Sequence, residues 1–488
     1  MKPAPIFVVI ALLASQSRAE DAEIPVSCRS PEATAQVKRA RLLLDNIRVA
    51  EAQATLQKAV ELDPDCATAQ ATLSTVLPGT EAGPHVAAAL AHLEGLPVAE
   101  RTQIELFAAF YNGENAKARE LTARLVELAP GDWRAHNGLG GQALGDQDYD
   151  KAIAEFSKAI ELNPQAAGAY NNLGYSYAGQ ERFDEAAATF RKYAAVAPQE
   201  PNAHDSLAEV LMNGGHLAEA EAEFQKALAL DSKFAGAWTG IAQTRLLRGD
   251  EKGADQALAK ELDVDTRPVA RIGSEINVAT ALLAEGKPAA SFKRLDQVKA
   301  KAKKLGLPQY YFIDALQARL QMREGHVEKA LALANASDEV TRKAKLPAGL
   351  TRGLKQGILI EQVRANALLH RKAETAKALA EMEEVVRPAA QNAFNASQLQ
   401  NSRGVAALAS NDFESAVAAM RKCQHADFQC LYELERAQEA AGDTAGAAAS
   451  RDRFLKVPRR GIEYVYLWKK LGGKPAARVA GAPDDSSR

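Results

Sequence analysis

Apolar residues recur along most of the chain at intervals of three and four positions, which is the spacing of one face of an amphipathic α-helix. The segment 133–166 shows the pattern well. It predicts one helix before the polar turn at 145–148 and a second helix after it, which ends at Pro164 because proline cannot continue a helix. The apolar positions are Leu139, Gly140 and Ala143 in the first helix and Ala152, Phe156, Ala159 and Ile160 in the second. The segment is therefore predicted to form a helical hairpin.

This hairpin pattern repeats every 33 or 34 residues. Prolines mark the ends of the predicted second helices at Pro64, Pro97, Pro130, Pro164 and Pro198, and small residues recur within these helices at Ala118, Ala152, Ala186, Ala220 and Ala254. A bulky residue follows four positions later at Phe156, Phe190, Phe224 and Leu258. We interpret Gly140 and Ala152 as the points where the two backbones approach, with Phe156 filling the space between units. One hairpin cannot bury its apolar face alone, so the units are predicted to stack into a solenoid.

The repeated residues resemble the consensus of the tetratricopeptide repeat (TPR), a helix-turn-helix unit of 34 residues. The resemblance is strongest over 133–268, where residues 169–177 read AYNNLGYSY. It extends to weaker units at 33–65 and 99–132, so a TPR solenoid is expected over 33–268. The resemblance implies an all-α fold, a right-handed TPR-type α-solenoid of stacked helix-turn-helix repeats.

Two parts of the chain depart from the repeat. In the unit 66–98, the segment 78–84 (PGTEAGP) is predicted to break the hairpin with a longer loop. After residue 268 the spacing becomes irregular, and 269–471 is predicted to form degenerate TPR-like helical repeats with a C-terminal cap. The segment 265–268 is a candidate joint between two sub-solenoids. Hairpin-turn signals recur beyond it at Gly286, Gly325, Arg371, Asn411 and Gly442.

The end of the chain carries two further features. Residues 461–471 contain Tyr464, Tyr466 and Trp468, and they are predicted to form the cap over the last hairpin. The alternative is that this segment contacts a partner protein through its aromatic side chains. The polar tail at 472–488 is predicted to be disordered.

Residues 1–19 have the pattern of a secretory signal. Lys2 gives the positive start, 6–14 the apolar run, and 17–19 the cleavage site. The apolar run is about half of the ~20 residues that a membrane-spanning helix needs, and no later uncharged stretch comes closer. We therefore expect an exported protein, periplasmic or secreted and of bacterial origin, with no integral membrane segment after signal removal.

An oxidising compartment lets disulfides form and persist, so the four cysteines are candidates for pairing. Cys28 precedes the first predicted hairpin and Cys66 follows it. Because the two ends of a helical hairpin lie together, these residues can come within bridging distance. Cys423 and Cys430 flank a predicted turn between helices. We expect the disulfides Cys28–Cys66 and Cys423–Cys430; the alternative is four free cysteines that pack between helices.

Charge and motifs argue against several classes of function. The 60 basic and 62 acidic residues give a net charge of -2, which lacks the electrostatic surface that duplex nucleic-acid binding needs. The sequence contains no H-E-x-x-H, no G-x-x-x-x-G-K-[ST] and no spaced Cys/His pairs of a zinc site. The run His204-Asp205-Ser206 holds triad residue types, but consecutive helical residues point about 100° apart and cannot form a triad. We predict no catalytic residues, no metal site and no cofactor.

In TPR proteins the inner face of the superhelix, formed by first-helix side chains, commonly holds an extended peptide or a partner helix. By position, the resemblance assigns these residues to that groove: Arg134, Asn137, Gly141, Asn171, Tyr175, Asp205, Glu209, Asn213, Thr239 and Gln243. The predicted lining is polar, mildly acidic and rich in amides. It lacks the Lys and Asn cluster with which TPR co-chaperones bind a C-terminal carboxylate, so a chaperone C-terminus is not the expected ligand.

We therefore expect a non-catalytic protein–protein interaction scaffold or adaptor that binds extended peptide or partner segments in this groove, in the cell envelope or periplasm. Self-association through an uncapped solenoid end stays open. One alternative is an enzyme with a site in the degenerate half, 269–471, for which clustered titratable residues in a deep pocket would be the sign. The other is a structural spacer of an envelope complex that is recognised through its ends.

Overall fold

The computed structural model describes residues 23–45, 48–306, 309–344, 348–387, 393–423, 428–457 and 459–474. Within these ranges the regular secondary structure is entirely helical, with 25 helices and no strands. In this part of the chain, no helix is both long enough and apolar enough to span a membrane. The chain divides into two compact units, Met1–Pro198 and Gln199–Arg488. The predicted signal sequence and residues 475–488 of the predicted tail lie outside the described residues.

The described part of unit 1 contains ten helices, which pair in chain order into five hairpins. They are α1 (Pro31–Asp45), α2 (Val49–Leu62), α3 (Ala67–Ser74), α4 (Gly79–Ala91), α5 (Val98–Asn112), α6 (Asn115–Leu128), α7 (Trp133–Gly145), α8 (Tyr149–Leu162), α9 (Ala167–Gly179) and α10 (Phe183–Val196). Each hairpin packs against the next one along the chain. The odd-numbered helices are the first helices of the hairpins, and we call the surface that they form the first-helix face of unit 1.

The described part of unit 2 contains seven hairpins and one final helix. The helices are α11 (Pro201–Asn213), α12 (Leu217–Leu230), α13 (Ala235–Leu247), α14 (Glu251–Val264), α15 (Pro268–Ala284), α16 (Pro288–Lys304), α17 (Gln309–Arg323), α18 (Val327–Lys343), α19 (Ala348–Leu368), α20 (Lys372–Val386), α21 (Ala393–Ala409), α22 (Phe413–Met420), α23 (Phe428–Ala440), α24 (Thr444–Lys456) and α25 (Ile462–Lys470). The first helices α11 to α23 carry odd numbers here as well. The predicted all-α solenoid of stacked helical hairpins is confirmed.

Close contact between glycine and phenylalanine joins the two helices of the best-matched hairpins. A methyl group built on Gly140 of α7 would lie 2.8 Å from the Phe156 ring of α8, and one on Gly174 of α9 would lie 2.6 Å from the Phe190 ring of α10. Both rings are fully buried. The glycine therefore lets the two helices approach, as predicted, but the ring that meets it belongs to the same hairpin. Phe156 also lies in one apolar cluster with Leu173 of the next hairpin, which agrees with its predicted place between units.

The expected loop at 78–84 is wrong. Only residues 75–78 separate α3 from α4, and Pro84 lies inside α4. Proline removes one backbone hydrogen bond from that helix. The helix nevertheless forms because Ala82, Val86 and Ala89, which recur at helical spacing, are buried. Burial of this apolar face outweighs the unfavourable proline.

The division into units does not fall at the candidate joint, 265–268. Helices α14 and α15, on either side of that segment, pack against each other within unit 2. The side chain of Asn277 donates to Glu261 at 2.9 Å, and Arg271 donates to the carbonyl oxygen of Leu262 at 2.7 Å. The loss of repeat consensus after residue 268 is thus a change in sequence that leaves the helix stacking continuous.

Both expected cysteine pairs are present as disulfides. Cys28 is bonded to Cys66 with a Cα–Cα distance of 4.7 Å, and Cys423 is bonded to Cys430 with a Cα–Cα distance of 6.3 Å. The first bond ties the segment before α1 to the residue that begins α3. The second closes the connection between α22 and α23, where both cysteines are part of a buried apolar cluster.

Candidate binding surfaces

Residues 23–29, which precede α1 and are not helical, lie on the first-helix face of unit 1, and we call them the N-terminal strap. The main chain of Ile24 is bonded on both sides. Its N–H donates to Asp132 Oδ2 at 2.9 Å, and its carbonyl oxygen accepts from Arg41 Nη1 at 2.8 Å. Its side chain is buried in an apolar cluster with Leu106 and Ala109 of α5. One residue of the strap is therefore recognised through its N–H, its carbonyl and its side chain.

Two further carboxylates bind main-chain N–H groups of the strap. Ser27 donates its N–H to Glu100 Oε1 at 2.8 Å and its hydroxyl to Oε2 at 2.6 Å, and Thr68 also donates to this fully buried carboxylate. The N–H of Arg29 donates to Asp63 Oδ2 at 2.6 Å. Side chains of the repeats thus hold the strap mainly by its backbone, and the Cys28 disulfide adds a covalent bond.

Arg134, a predicted groove residue, forms ion pairs with other residues of unit 1. Its Nη2 lies 2.6 Å from Asp45 Oδ2, and its Nη1 lies 3.3 Å from Glu23 of the strap. Burial works against the guanidinium charge, but the carboxylates of Asp45, Asp132 and Glu23 outweigh burial and raise the pKa of Arg134. The side chain marks the point at which the strap reaches α7.

The first-helix face of unit 1 continues from the strap across α7 and α9 as a partly exposed polar surface. The predicted groove residues Asn137, Asn171 and Tyr175 lie on it, and we call this patch the α7–α9 surface. Asn172 Nδ2 is 3.4 Å from Asn137 Oδ1, across the two helices. The ring of Tyr175 packs edge-on against Phe190 with a centroid distance of 5.1 Å. The patch therefore combines partly exposed amide side chains with one partly exposed aromatic ring that packs on the second helix of its hairpin.

In unit 2, Asp205 and Glu209 of α11 bind the guanidinium of Arg460, which follows α24 in the same unit. Arg460 Nη1 is 2.8 Å from Asp205 Oδ2 and 2.7 Å from Glu209 Oε2. Its Nη2 is 3.2 Å from Asp205 Oδ1 and 3.4 Å from the carbonyl oxygen of Gly236. The two predicted groove carboxylates thus contact the chain's own C-terminal region.

The predicted groove residue Gln243 of α13 binds the main chain beside Arg460. Its Nε2 donates to the carbonyl oxygen of Arg459 at 2.5 Å, and its Oε1 accepts from the N–H of Gly461 at 2.7 Å. We call residues 459–461 the C-terminal clasp. The other two predicted groove residues of unit 2 are placed differently from Gln243. Asn213 is buried within α11, and the hydroxyl of Thr239 donates weakly to the carbonyl oxygen of Ala235 in its own helix.

Helix α25 follows the clasp and is buried against helices of its own unit. It packs chiefly on α15 and also contacts α13. Tyr464 stacks on Phe454 with a centroid distance of 5.0 Å, and Tyr466 donates its hydroxyl to Glu324 Oε1 at 2.6 Å. Trp468 donates to the carbonyl oxygen of Leu455 at 3.2 Å. The expected cap over the last hairpin therefore extends further, onto the first helices α13 and α15. Its aromatic side chains contact residues of the same unit.

A cluster of buried charges lies between first helices of the degenerate half. Arg323 of α17 is 2.7 Å from Glu433 of α23, and Glu361 of α19 is 3.6 Å from Arg364. Burial raises the pKa of Glu361 despite the nearby arginines. The cluster matches part of what the enzyme alternative required.

The enzyme alternative also required a deep pocket at the clustered titratable residues. A cavity of about 360 Å³ lies elsewhere in unit 2 and shares no residue with this cluster. Its lining includes Ala367, His370, Thr375, Arg403 and Asp412. In the part of the chain that the structure describes, no group of three or more His, Cys, Asp or Glu side chains is arranged to hold a metal ion.

Parts of the chain match family models of a known repeat. Residues 33–66, 108–159, 142–201 and 201–234 match the tetratricopeptide repeat. These segments of the chain are therefore similar to tetratricopeptide repeats, and the described helices form an all-α solenoid of stacked hairpins. Such repeats generally bind other proteins, which in general terms supports a role as a protein-interaction scaffold.

Three solved structures illustrate the similarity. The type IV pilus biogenesis factor PilW is 22% identical, with 42% of this chain and 93% of that chain covered and a TM-score of 0.36. YrrB, a TPR protein with an unusual peptide-binding site, is 19% identical, with 37% and 91% covered and a TM-score of 0.28. A TPR protein from Parabacteroides merdae is 13% identical, with 54% and 98% covered and a TM-score of 0.40.

No curated protein matches the chain.

Proposed function

We propose that the protein is an exported, non-catalytic interaction scaffold that binds an extended segment of a partner protein on the α7–α9 surface of unit 1. The observation that carries the proposal is the N-terminal strap. The same first-helix face already holds this non-helical segment by bonds from side chains to its main chain, at Ile24, Ser27 and Arg29. A surface that binds backbone in this way accepts segments of varied sequence, which suits a scaffold.

The position of the strap supports the choice of the α7–α9 surface. The strap reaches α7 where Glu23 meets Arg134, and the neighbouring first-helix positions are Asn137, Asn171 and Tyr175. Side-chain amides can donate to a carbonyl oxygen and accept from an N–H at the same time. The amide of Gln243 makes this pair of bonds in unit 2. Asn137 and Asn171 carry side-chain amides of the same kind at partly exposed positions, and we expect these amides to contact the main chain of the partner segment.

Export is the second part of the proposal, and two features of the chain support it. Residues 1–19 carry the pattern of a secretory signal, and all four cysteines are paired. A bacterial periplasm or the extracellular space would keep both disulfides oxidised. Non-reducing mass spectrometry of the protein purified from its native compartment tests this part, because reduced cysteines or an uncleaved residue 1–19 segment would contradict it.

Site-specific crosslinking tests the binding surface. A photo-crosslinking amino acid at Asn137 should join the protein to a discrete partner in intact cells, and the double variant N171A/Y175A should lose that product while its thermal midpoint stays close to that of the wild type. The matched control is K158A/E161A on α8, where an exposed ion pair of 3.0 Å is removed from the other side of the hairpin. That variant should retain the crosslink.

Two outcomes would count against the proposal. A crosslink from position 137 that persists in N171A/Y175A would show that the side chains of Asn171 and Tyr175 do not hold the partner. If no partner is captured from position 137 or from any other first-helix position of unit 1, the enzyme alternative in 269–471 becomes the better hypothesis.

A further inference from the structure

The contacts of the C-terminal clasp describe a recognition site for arginine. Asp205 faces the guanidinium with both oxygens, and Glu209 and the carbonyl oxygen of Gly236 bind it as well. A planar guanidinium can satisfy all of these acceptors at once, whereas the single ammonium of a lysine cannot make the paired contact with Asp205. The Asp205 side chain is only 5% exposed, so it needs a cationic partner.

The same site also recognises the residues on both sides of the arginine. Gln243 accepts the N–H of the following residue and donates to the carbonyl oxygen of the preceding one. The following residue is Gly461, whose φ of +126° is a conformation that L-residues with a side chain rarely adopt. The site therefore fits a short segment of the form x-Arg-Gly that runs over α11 and α13.

We propose that this site binds an Arg-Gly segment of a partner protein, and that Arg460-Gly461 occupies it in cis until the partner segment replaces it. The proposal concerns unit 2 and does not rest on the function proposed for the α7–α9 surface. The occupant is identified by its chemistry: a guanidinium, a glycine directly after it, and a main chain that is free to bond Gln243.

The clasp is built so that it can leave without the rest of the C-terminal region. Arg460 keeps 30% of its side chain exposed, so a competing guanidinium can reach the carboxylates. Helix α25 begins directly after Gly461 and is held separately by its buried side chains, including Val465 and Leu467. Rotation at the glycine can therefore release residues 459–461 while α25 stays packed.

Exchange has to overcome the tethering of the clasp. A segment linked to its own site competes with an effective concentration that is roughly millimolar for short flexible connections. A partner peptide should therefore bind weakly to the wild-type protein and more tightly to a chain whose own arginine has been removed. This difference separates a site that accepts exchange from a fixed internal contact.

The experiment uses the full chain and a fluorescent peptide, VPRRGIE, which is the sequence of residues 457–463. Fluorescence anisotropy should show saturable binding to R460A and binding that is about tenfold weaker to the wild type, because the site is occupied in cis. Replacing the second arginine of the peptide by lysine should weaken binding to R460A by about tenfold. The double variant D205N/R460A should bind the arginine peptide as weakly as the lysine peptide.

A replacement variant and a control variant complete the experiment. If R460A does not fold, as judged by circular dichroism, R460K is used in its place, because it keeps a positive charge beside the two carboxylates. The variant N171A/Y175A should bind the peptide as the wild type does, so that failure of this site and failure of the α7–α9 surface are distinguishable.

Three results would overturn the proposal. The first is equal binding of the peptide to R460A and to the wild type, and the second is equal binding of the arginine and lysine peptides to R460A. The third is that the peptide does not bind R460A although methylguanidinium, a small mimic of the arginine side chain, raises the thermal midpoint of R460A. The last result would mean that the arginine pocket exists but serves only as a fixed internal contact.

Discussion

Arg319 of α17 and Glu463 of α25 form a two-point ion pair, with Nε–Oε1 and Nη2–Oε2 distances of 2.8 and 2.9 Å. Burial works against the charge of Arg319, but Glu463 and Glu361 outweigh it and raise the pKa of the guanidinium. The pair joins residues that are 144 positions apart in the sequence. It fixes the last helix of the described chain against a first helix in the middle of unit 2.

The variant E463Q tests how strongly this pair holds α25. It keeps the shape of the side chain but leaves the charge of Arg319 without its main partner, so the free energy of unfolding should fall by about 3 kcal/mol. Chemical denaturation followed by tryptophan fluorescence reports the change, because Trp468 lies in α25. The control E339Q removes an exposed pair with Lys343 on α18 and should leave the unfolding curve unchanged. Equal behaviour of the two variants would show that the pair adds nothing to the attachment of α25.

The two disulfides should differ in their contribution to stability because they close loops of different length. In the chain-entropy picture, Cys28–Cys66, with a sequence separation of 38, restricts the unfolded chain more than Cys423–Cys430, with a separation of 7. The variant C28S/C66S should lose about 4 kcal/mol of unfolding free energy and C423S/C430S about 2 kcal/mol. Urea denaturation of the oxidised variants measures both values. A larger loss for the short loop would mean that local packing, and not chain entropy, sets the effect.

The contact between Gly174 and Phe190 predicts that adding one methyl group has opposite effects at two positions of the same helix. G174A places a methyl 2.6 Å from the buried ring and should destabilise the protein by about 1–3 kcal/mol. G168A, also on α9, meets nothing within 4 Å and should stabilise the protein by up to about 1 kcal/mol, because alanine favours the helix. Thermal unfolding of both variants gives the comparison. Adding F190L to G174A should recover part of the loss, and no recovery would contradict the assigned contact.

The sequence predicted the close approach of the two helices at a small residue because that position belongs to the period of the repeat. The pair Gly174 and Phe190 repeats the pair Gly140 and Phe156 of the preceding hairpin, so local spacing is enough to place such residues together. The resemblance to the tetratricopeptide repeat assigned the groove residues to the first-helix faces by their position in the repeat. What occupies the faces could not be predicted in this way, because the N–H of Ile24 bonds a carboxylate 108 positions away and Arg460 bonds Asp205 across 255 positions.

Such long-range contacts leave little trace in a repeat pattern. Asp132 and Glu100 hold the strap, yet neither stands out among the many carboxylates of the chain. The burial of these two carboxylates would have indicated that they bind something, but it depends on the N-terminal strap, which lies outside the repeats. The helix at Gly79–Ala91 differs from the predicted loop for a local reason, because Pro78 and Pro84 are typical of a loop whereas the apolar residues between and after them have helical spacing.

The buried carboxylate of Glu433 gives unit 2 a stability that depends on pH. Burial alone would raise the pKa of this group, but the charges of Arg323, Arg364 and Arg436 outweigh burial and lower it from 4.5 to about 2. Because the pKa is lower in the folded protein, the folded state binds fewer protons than the unfolded state between these two values. The contribution is therefore complete above pH 4.5 and is lost as the pH falls towards about 2. A shift of this size corresponds to about 3 kcal/mol.

Comparison of the wild type with E433Q between pH 2 and pH 6 isolates this contribution. The difference in unfolding free energy should be largest above pH 4.5 and should shrink as Glu433 becomes protonated in the wild type. E361Q is the matched control with the opposite sign, since burial raises the pKa of Glu361 and its charged form costs stability at higher pH. Removing that carboxylate should therefore become less favourable, relative to the wild type, as the pH falls. A difference for E433Q that stays constant over this range would mean that the arginines do not hold the carboxylate in its charged form, and the ionic cluster would then owe its stability to packing.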